Sequence, residues 1–324
     1  MNLPTLSVVI PNYNHGHLLP RCLDSILTQS VQATEIMIID DGSTDNSVEI
    51  VEQWIKKHPS IRLLRNERNM GVVYTVNRAL DLAAGDFVHF PAADDVVMPG
   101  LFEKSLNILA HHPRAALCCT IGDWREVGTG LNWHVGVGMA DRPCYLSPTQ
   151  IADLERKGRL FIASNTTISR REALIQGGKY NPELKWHCDW FLLYLAAFRH
   201  GICFVPEPLA VFNIYPDSYY KRGVRDQHAH RKVLRLMLDL LNRPDNRDVE
   251  PLIRESGALF QFGWPILQLV MSEPGYRKYL NPRFLRKNLW HITKLQLKKV
   301  TPAFAGNLYF RFAGYRARAP SPAL

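Results

Sequence analysis

The stretch LSVVIPNYNHGHLLPRCLDSILTQSVQATEIMIIDDGSTDNS, residues 6–47, decides the fold. "LSVVI" (6–10) is an apolar run that stops at Pro11, which has no N–H for a sheet ladder. Leu19, Leu23, Ile26 and Leu27 then recur at helical spacing. "EIMIID" (35–40) is a second apolar run, followed by Asp41 and Gly42. Gly42 permits a tight turn, and Ser43 or Thr44 is placed to cap the next helix. Apolar strand, amphipathic helix, apolar strand is how two parallel strands are joined by a right-handed crossover.

The alternation continues outward. Val48, Val51 and Ile55 predict a helix, "IRLLR" (61–65) a third strand, Val73, Val76, Leu80 and Ala83 another helix, and "DFVHF" (86–90) a fourth strand. The prediction is an α/β fold, a mostly parallel sheet flanked by helices. Such sheets bind ligands beyond the carboxyl ends of their strands. Asn12 and Asn14 follow the first strand, Asp40 and Asp41 end the second, and Asp94 and Asp95 follow the fourth. These groups are expected along one edge. A single Asp-Asp pair is more often a solvated loop; two pairs at corresponding strand ends favour a site. Neighbouring carboxylates repel unless a cation or a donor network intervenes, and a divalent cation shared with substrate phosphates is a common solution.

After residue 115 the pattern weakens. "AALCCTIG" (115–122) predicts a strand, and 122–145 reads as a Gly-rich excursion with Trp124 and Trp133. Residues 147–158 predict a helix capped at Ser147, 177–184 a turn, and 188–200 a helix with Phe191, Leu195 and Phe198 on one side. Residues 202–216 predict one or two strands, and helices are expected from about 225 to the end. No G-x-G-x-x-G follows any strand, against a dinucleotide-binding oxidoreductase. Only Gly16 stands in "PNYNHGHLLPR", against a sugar-phosphate pyrophosphorylase.

The chain has 324 residues, 46% of them hydrophobic, enough for a large core. It contains no run of eighteen apolar residues, so a spanning helix is not expected. The first residues pass directly into strand sequence, which predicts no signal peptide. Six cysteines without C-x-x-C or zinc spacing predict free thiols and a cytoplasmic location. The net charge of +9 belongs to the tail: from Pro274 onward eleven basic residues meet no acidic side chain. Residues 283–300 and 308–318 mix those charges with Leu, Trp, Tyr and Phe. The expectation for 283–318 is an anionic membrane surface, which attracts each nearby Lys or Arg by about 1 kcal/mol, and a peripheral place on the inner face of the cytoplasmic membrane. For Leu259–Met271 an ordinary packed helix is expected. No recognition module for nucleic acid is present, and none is expected as a partner.

Six segments arrive in order: "LSVVIPNYNH" (6–15), "IIDDGSTDNS" (38–47), "NMGVVYTVNRAL" (69–80), "GDFVHFPAADD" (85–95), "SNTTISRREALIQGGKYNPEL" (164–184) and "HCDWFLLYLAAFRHG" (187–201). Together they resemble the family 2 glycosyltransferases of GT-A (Rossmann-like) fold, non-processive and of the bacterial cell-surface glycan type. The absence of a Q-x-x-R-W segment and of membrane spans argues against a processive polysaccharide synthase. The resemblance covers about residues 5–220. It implies a catalytic domain over 1–222 and a basic, helical C-terminal extension over 223–324.

The resemblance implies an inverting transfer of a hexosyl or N-acetylhexosaminyl group from a nucleotide-sugar, UDP-linked, to a hydroxyl of a glycan or glycolipid. Polysaccharide or lipopolysaccharide synthesis is the expected setting. Pro11, Asn12, Tyr13, Asn14, Asp40, Asp41, Asn69, Gly71, Asn77 and Asp94 would hold the nucleotide. Asp94 and Asp95 would bind Mg²⁺ or Mn²⁺. Asp189 would be the general base; read as a residue alone, it is equally a helix N-cap. Three positions depart from the family pattern. Ala92 replaces the first Asp of D-x-D, Val76 replaces an Arg, and Tyr215 replaces a His. They motivate the alternative of a degenerate member that binds nucleotide-sugar or glycan without turnover. His187, two residues before Asp189, is expected as a surface or supporting group.

Overall fold

The structure, a computed structural model, describes residues 3–128 and 132–300. The segment 308–318 lies outside the described residues. The first half alternates as expected: β1 (Leu6–Asn12), α1 (Leu19–Leu27), β2 (Glu35–Asp40), α2 (Ser47–Lys57), β3 (Ile61–Arg65), α3 (Val72–Leu82) and β4 (Phe87–His89). Next come β5 (Val96–Val97), α4 (Leu101–His111), β6 (Leu117–Glu126), β7 (Asn132–Val135), β8 (Cys144–Leu146), α5 (Pro148–Arg156), β9 (Thr167–Arg170), α6 (Arg171–Gln176), α7 (Cys188–His200) and β10 (Ile202–Ile214). The helices α8 (Tyr219–Arg225), α9 (Gln227–Leu241), α10 (Glu250–Ser256), α11 (Gly263–Ser272) and α12 (Pro282–Val300) complete the described chain.

The strands lie in the order β3-β2-β1-β4-β9-β6-β10-β5. Neighbours β3, β2, β1 and β4 are parallel, as are β6 and β10. β9 runs antiparallel between β4 and β6, and β5 antiparallel to β10. Six strands on this path therefore point one way, and their carboxyl ends share one edge. Because β9 is reversed, the residues just before it, Ser164–Thr166, also lie at that edge.

Side chains alternate between two cores, as the period of a strand requires. Val8, Ile10, Ile36 and Ile38 pack under α1, α2 and α4. Val9, Met37, Ile39 and Val88 face the other way, into a core shared with α3, α7 and the C-terminal helices. Burial on both faces explains the continuous apolar runs in the sequence. Leu259, Phe262, Ile266, Leu269 and Val270 belong to that second core, so 259–271 packs as expected. Among the described residues no helix is long and apolar enough to cross a membrane.

Two local expectations are corrected, on the excursion from 122 and on the cap of α2, and the open choice of one or two strands over 202–216 is decided as one. The excursion from 122 begins as strand: β6 runs on to Glu126 and folds back as β7, with Trp124 opposite Trp133. Strand partners on both sides supply what the local pattern lacks. Residues 202–214 form one strand whose ladder slips around Pro206 and Pro208, since proline offers no ladder N–H. Neither Ser43 nor Thr44 caps α2: Asn46 holds the N-cap position and Asp45 accepts the Ser47 N–H at 3.0 Å. Ser147 does cap α5, in a reciprocal box with Gln150.

Candidate functional site

At the carboxyl ends of β1 and β2 the polar groups form a network in which Asn12 Oδ1 is buried without a partner. Asn12, fully buried, faces Asp40 across the ladder and donates its Nδ2 to Asp40 Oδ1 at 3.1 Å and to Ser43 Oγ at 3.2 Å. Asp40 Oδ2 accepts the Ser43 N–H at 3.1 Å. Asn14 has φ +56°, a left-handed conformation that Asn tolerates. From there its Oδ1 accepts the Thr44 N–H at 2.8 Å, while its own N–H donates to Ser43 Oγ at 2.9 Å. This is the work of Ser43 in place of capping. β1 runs through Pro11, which faces Ile39, to Asn12 opposite Asp40, one residue past the stop expected at Pro11, and Tyr13 stands exposed after it.

Asp41 organises the next loop. Its Oδ1 accepts from Asn66 Nδ2 at 2.6 Å and from the Met70 N–H at 2.9 Å; its Oδ2 accepts the Gly71 N–H at 2.8 Å. Asn69 Oδ1 also receives the Gly71 N–H, at 3.0 Å. Gly71 has φ +88°, and a Cβ there would meet nothing within 4 Å. Glycine is thus required by the backbone, and the space above it is open. Asn77 lies apart from this network. Both ends of its amide are used on Tyr180, Nδ2 to the carbonyl at 2.7 Å and Oδ1 from the N–H at 3.0 Å. It fastens α3 to the segment before α7.

The turn after β4 is pinned by its own aspartate. The Asp95 N–H donates to the Ala92 carbonyl at 3.0 Å, and Asp95 Oδ2 accepts the Ala92 N–H at 3.0 Å. Asp95 Oδ1 is buried with no hydrogen-bond partner. Burial, then the neighbouring Asp94 charge, pushes the Asp95 carboxyl well above the usual range; burial also raises Asp94. Both line a cavity of about 180 Å³ with Arg21, Asn213 and Tyr215, and Asn213 Nδ2 donates to the Asp94 carbonyl at 2.6 Å. A larger cleft, about 320 Å³, opens beside Arg114, Arg170 and His200 and contains none of the candidate residues.

Two adjacent carboxylates, one with a buried orphan oxygen, are a chemically suitable pair for a hard divalent cation. Among the described residues no group of three His, Cys, Asp or Glu side chains could hold a metal. A cation on Asp94 and Asp95 would therefore depend on substrate phosphates for further ligands, which is how Mg²⁺ is commonly bound.

Asp189 reaches the same edge by another route. His89, buried and pushed down to about 4 by that burial, bonds the Thr167 carbonyl at 2.8 Å and ties β9 to β4. Ser164, three residues earlier, donates its hydroxyl to Asp189 Oδ2 at 3.4 Å. Asp189 Oδ1 accepts the Trp190 N–H at 2.8 Å. The N-cap position is His187, so Asp189 is no N-cap; it lies in the first turn of α7. Burial raises its pKa, opposed by those hydrogen bonds. His187 is no surface group: it is 2% exposed, enclosed by Tyr220 and Phe262, with Nε2 3.0 Å from Nε2 of His230. Burial first, then His230, pushes it down to about 3.

Sequence reasoning assigned no role to Arg21 and Asn213, and it quoted Ser164 only as the first residue of the segment 164–184. It noted Trp124 and Trp133 without placing them. Trp133, Trp124 and Phe212 stand abreast on β7, β6 and β10, and the Phe161 ring lies 5.3 Å from Trp124. All four rings are half-buried and none belongs to either core. They form an aromatic surface beside the Phe161–Ser164 segment that leads to Asp189.

The family model described as "Glycosyl transferase family 2" matches residues 7–178. The chain is 40% identical over 129 residues to "Uncharacterized glycosyltransferase YibD" of Escherichia coli K12, covering 40% of this chain and 37% of that protein. Its alignments with three curated relatives span 37%, 66% and 44% of their lengths, less than two thirds in each case. The fold is similar to that of S. aureus TarS solved with UDP-GlcNAc, with a TM-score of 0.64 at 19% identity over 88% of this chain and 78% of the TarS chain. It is also similar to a Pyrobaculum calidifontis mannosyltransferase solved with GDP-Man and Mn²⁺, with a TM-score of 0.54 at 17% identity over 90% and 88% of the two chains. The family model spans more than half of the sequence and takes in the networks at β1, β2 and β4, and this chain belongs to glycosyl transferase family 2.

Proposed function

We propose that the protein transfers a hexosyl or N-acetylhexosaminyl group from a UDP-linked donor to a hydroxyl of a glycan or lipid-linked acceptor, with inversion at the anomeric carbon. One observation carries the reading. The network at 12–14 and 40–41, the pair Asp94 and Asp95, and the desolvated Asp189 all lie beyond the carboxyl ends of the same sheet.

In this reading the β1–β2 network, with Pro11 and Tyr13 at its rim, receives the base and ribose. Asp41 Oδ2 accepts a single hydrogen bond from the protein and keeps a lone pair for a uracil N3–H. The exposed backbone at Asn69 and Gly71 lets the nucleotide approach closely. Asp94 and Asp95 would hold Mg²⁺ or Mn²⁺ against the diphosphate, where a metal offsets charge on the leaving group. Asp189, ionised and oriented by Ser164 and the Trp190 N–H, takes the proton of the acceptor hydroxyl. That oxygen forms the new bond to the anomeric carbon as the bond to the UDP oxygen breaks on the opposite side, which inverts the centre. The half-buried aromatic cluster around Trp124, with Trp133 and Phe161 set edge to face on it, would supply apolar contact for a sugar ring.

The test is release of UDP from UDP-sugars in the presence of Mn²⁺, with Asp189→Ala as the control. Loss of turnover with UDP binding retained supports the base role; loss of both moves Asp189 into the nucleotide pocket. Ala92 and Tyr215, flanking the acidic pair, favour one alternative, a binding protein without turnover. Metal-tightened UDP binding with no release from any donor would establish that alternative instead.

A further inference from the structure

The transferase reading uses none of the outer surface of α11 and α12. Each helix has a filled inner stripe: Ile266, Leu269 and Val270 on α11, Phe284 and Asn288 on α12, all at most 1% exposed. Each also leaves large apolar side chains in solvent. On α11 these are Trp264 and Met271, both 53% exposed and seven residues apart on one helical face. On α12 they are Leu289 at 67%, Trp290 at 62% and Leu285 at 42%. Trp264 and Trp290 are the two exposed tryptophans of the seven. The two helices meet next to these residues, since a Cβ on Gly263 would lie 3.5 Å from the His291 ring.

This face sits on a braced helix. Lys287 Nζ pairs with the buried Glu155 of α5 at 2.8 Å and lies 4.5 Å from the centre of the Phe260 ring. Asn281 Oδ1 accepts the Phe284 N–H at 2.9 Å, and its Nδ2 donates to the Arg254 carbonyl at 2.7 Å. A fixed helix with its core stripe complete has no internal use for an outward Leu and Trp. The unpaired charge around them is basic: Glu273 at the end of α11 is taken up by Arg231 and Arg235. Arg277 and Arg286 are exposed and pair with no carboxylate among the described residues, and the sequence holds no acidic residue after Glu273. Like charge disfavours a second copy on this face.

We infer that the outer face of α11 and α12 docks on an anionic lipid surface, with Trp264, Leu285, Leu289 and Trp290 entering the headgroup layer and Arg286 meeting lipid phosphates. Aromatic and aliphatic anchors among arginines suit the two layers of a bilayer interface. This inference stands independently of the transferase reading, because it needs neither Asp189 nor a nucleotide.

The full-length chain should co-sediment with phosphatidylcholine vesicles containing phosphatidylglycerol, and far less with phosphatidylcholine alone. Binding should fall as salt rises. The double variant Leu289→Gln/Trp290→Gln should weaken vesicle binding by about tenfold or more, since two apolar anchors are lost. Its melting temperature and UDP binding should be unchanged, because both sites are exposed. Arg286→Glu should weaken binding to anionic vesicles only. Equal binding of the double variant, or no binding of the parent to anionic vesicles, overturns the inference. Self-association without lipid that the double variant abolishes also overturns it, by assigning the face to a second copy.

Discussion

The two halves of the candidate site are built on opposite principles. At β1 and β2 every candidate carboxylate is already paired: Asp40 with Asn12 and Ser43, Asp41 with Asn66, Met70 and Gly71. At β4 and α7 the carboxylates are desolvated and thinly supported. Asp95 has a buried orphan oxygen, Asp189 rests on one N–H and one hydroxyl, and burial raises both. The first half is a cradle whose carboxylates are satisfied and hold the protein together, with Asn12 Oδ1 left as a buried orphan atom. The second keeps its charges at a cost to the fold, as groups reserved for chemistry do.

The sharpest way to break this contrast is Asp189→Asn. A general base of this kind contributes about 10²–10⁴-fold, so turnover should fall by roughly 10³-fold with UDP affinity unchanged, read by UDP release and titration calorimetry. Next comes Asp41→Ala, which removes three hydrogen bonds; Asn66 keeps Thr75 Oγ1 and the Gly71 N–H keeps Asn69 Oδ1, but the Met70 N–H loses its acceptor. Chemical denaturation should show a loss of about 2–3 kcal/mol, with UDP binding weakened as well. If stability is untouched, the cradle is not the structural element described above.

Asp95→Asn should have the opposite sign. The folded-state pKa of Asp95 is raised, so ionised Asp95 destabilises the fold, an effect absent at low pH that grows as pH rises above the ordinary 3.8. In EDTA the variant should therefore melt higher than the parent, by more at pH 8 than at pH 5, and should lose any Mn²⁺-induced shift. A lower melting temperature would show that the carboxylate is structural after all. The smallest effect is a shift along the pH axis. Turnover should fail on acidification through a pKa above the ordinary 3.8, because Asp189 must be ionised. Ser164→Ala removes a hydrogen bond that lowers that pKa, so the acidic limb should move to higher pH.

The same contrast explains what could be read in advance. β1, β2 and β4 were legible because they are buried on both faces, the edge strand β3 from its short Ile61, Leu63 and Leu64 run, and the helices from one apolar stripe each. Asp40, Asp41, Asp94 and Asp95 were legible because they interrupt those runs at equivalent places. β7, the extension of β6 and the partnership of Ser164 with Asp189 were not. Their pairings join residues far apart in the chain, and nothing local marks them. The surface half of the expectation for His187 failed for a similar reason. A polar residue before a helix suggests solvent, and only α8, α9 and the 258–262 segment, arriving later in the chain, enclose it with Tyr220, His230 and Phe262.

The sequence by itself determined the parallel sheet, the edge on which its polar residues collect, and the family. Those follow from periodicity and from the order of motifs, which are properties of the chain read in one direction. Only the tertiary structure decided which carboxylates are satisfied and which are left desolvated. It also decided that Asn77 is a fastener and that Trp124 stands in an aromatic row. The physical reason is that burial and hydrogen bonding belong to surroundings, and at this site the surroundings of each residue come from elements far away in sequence.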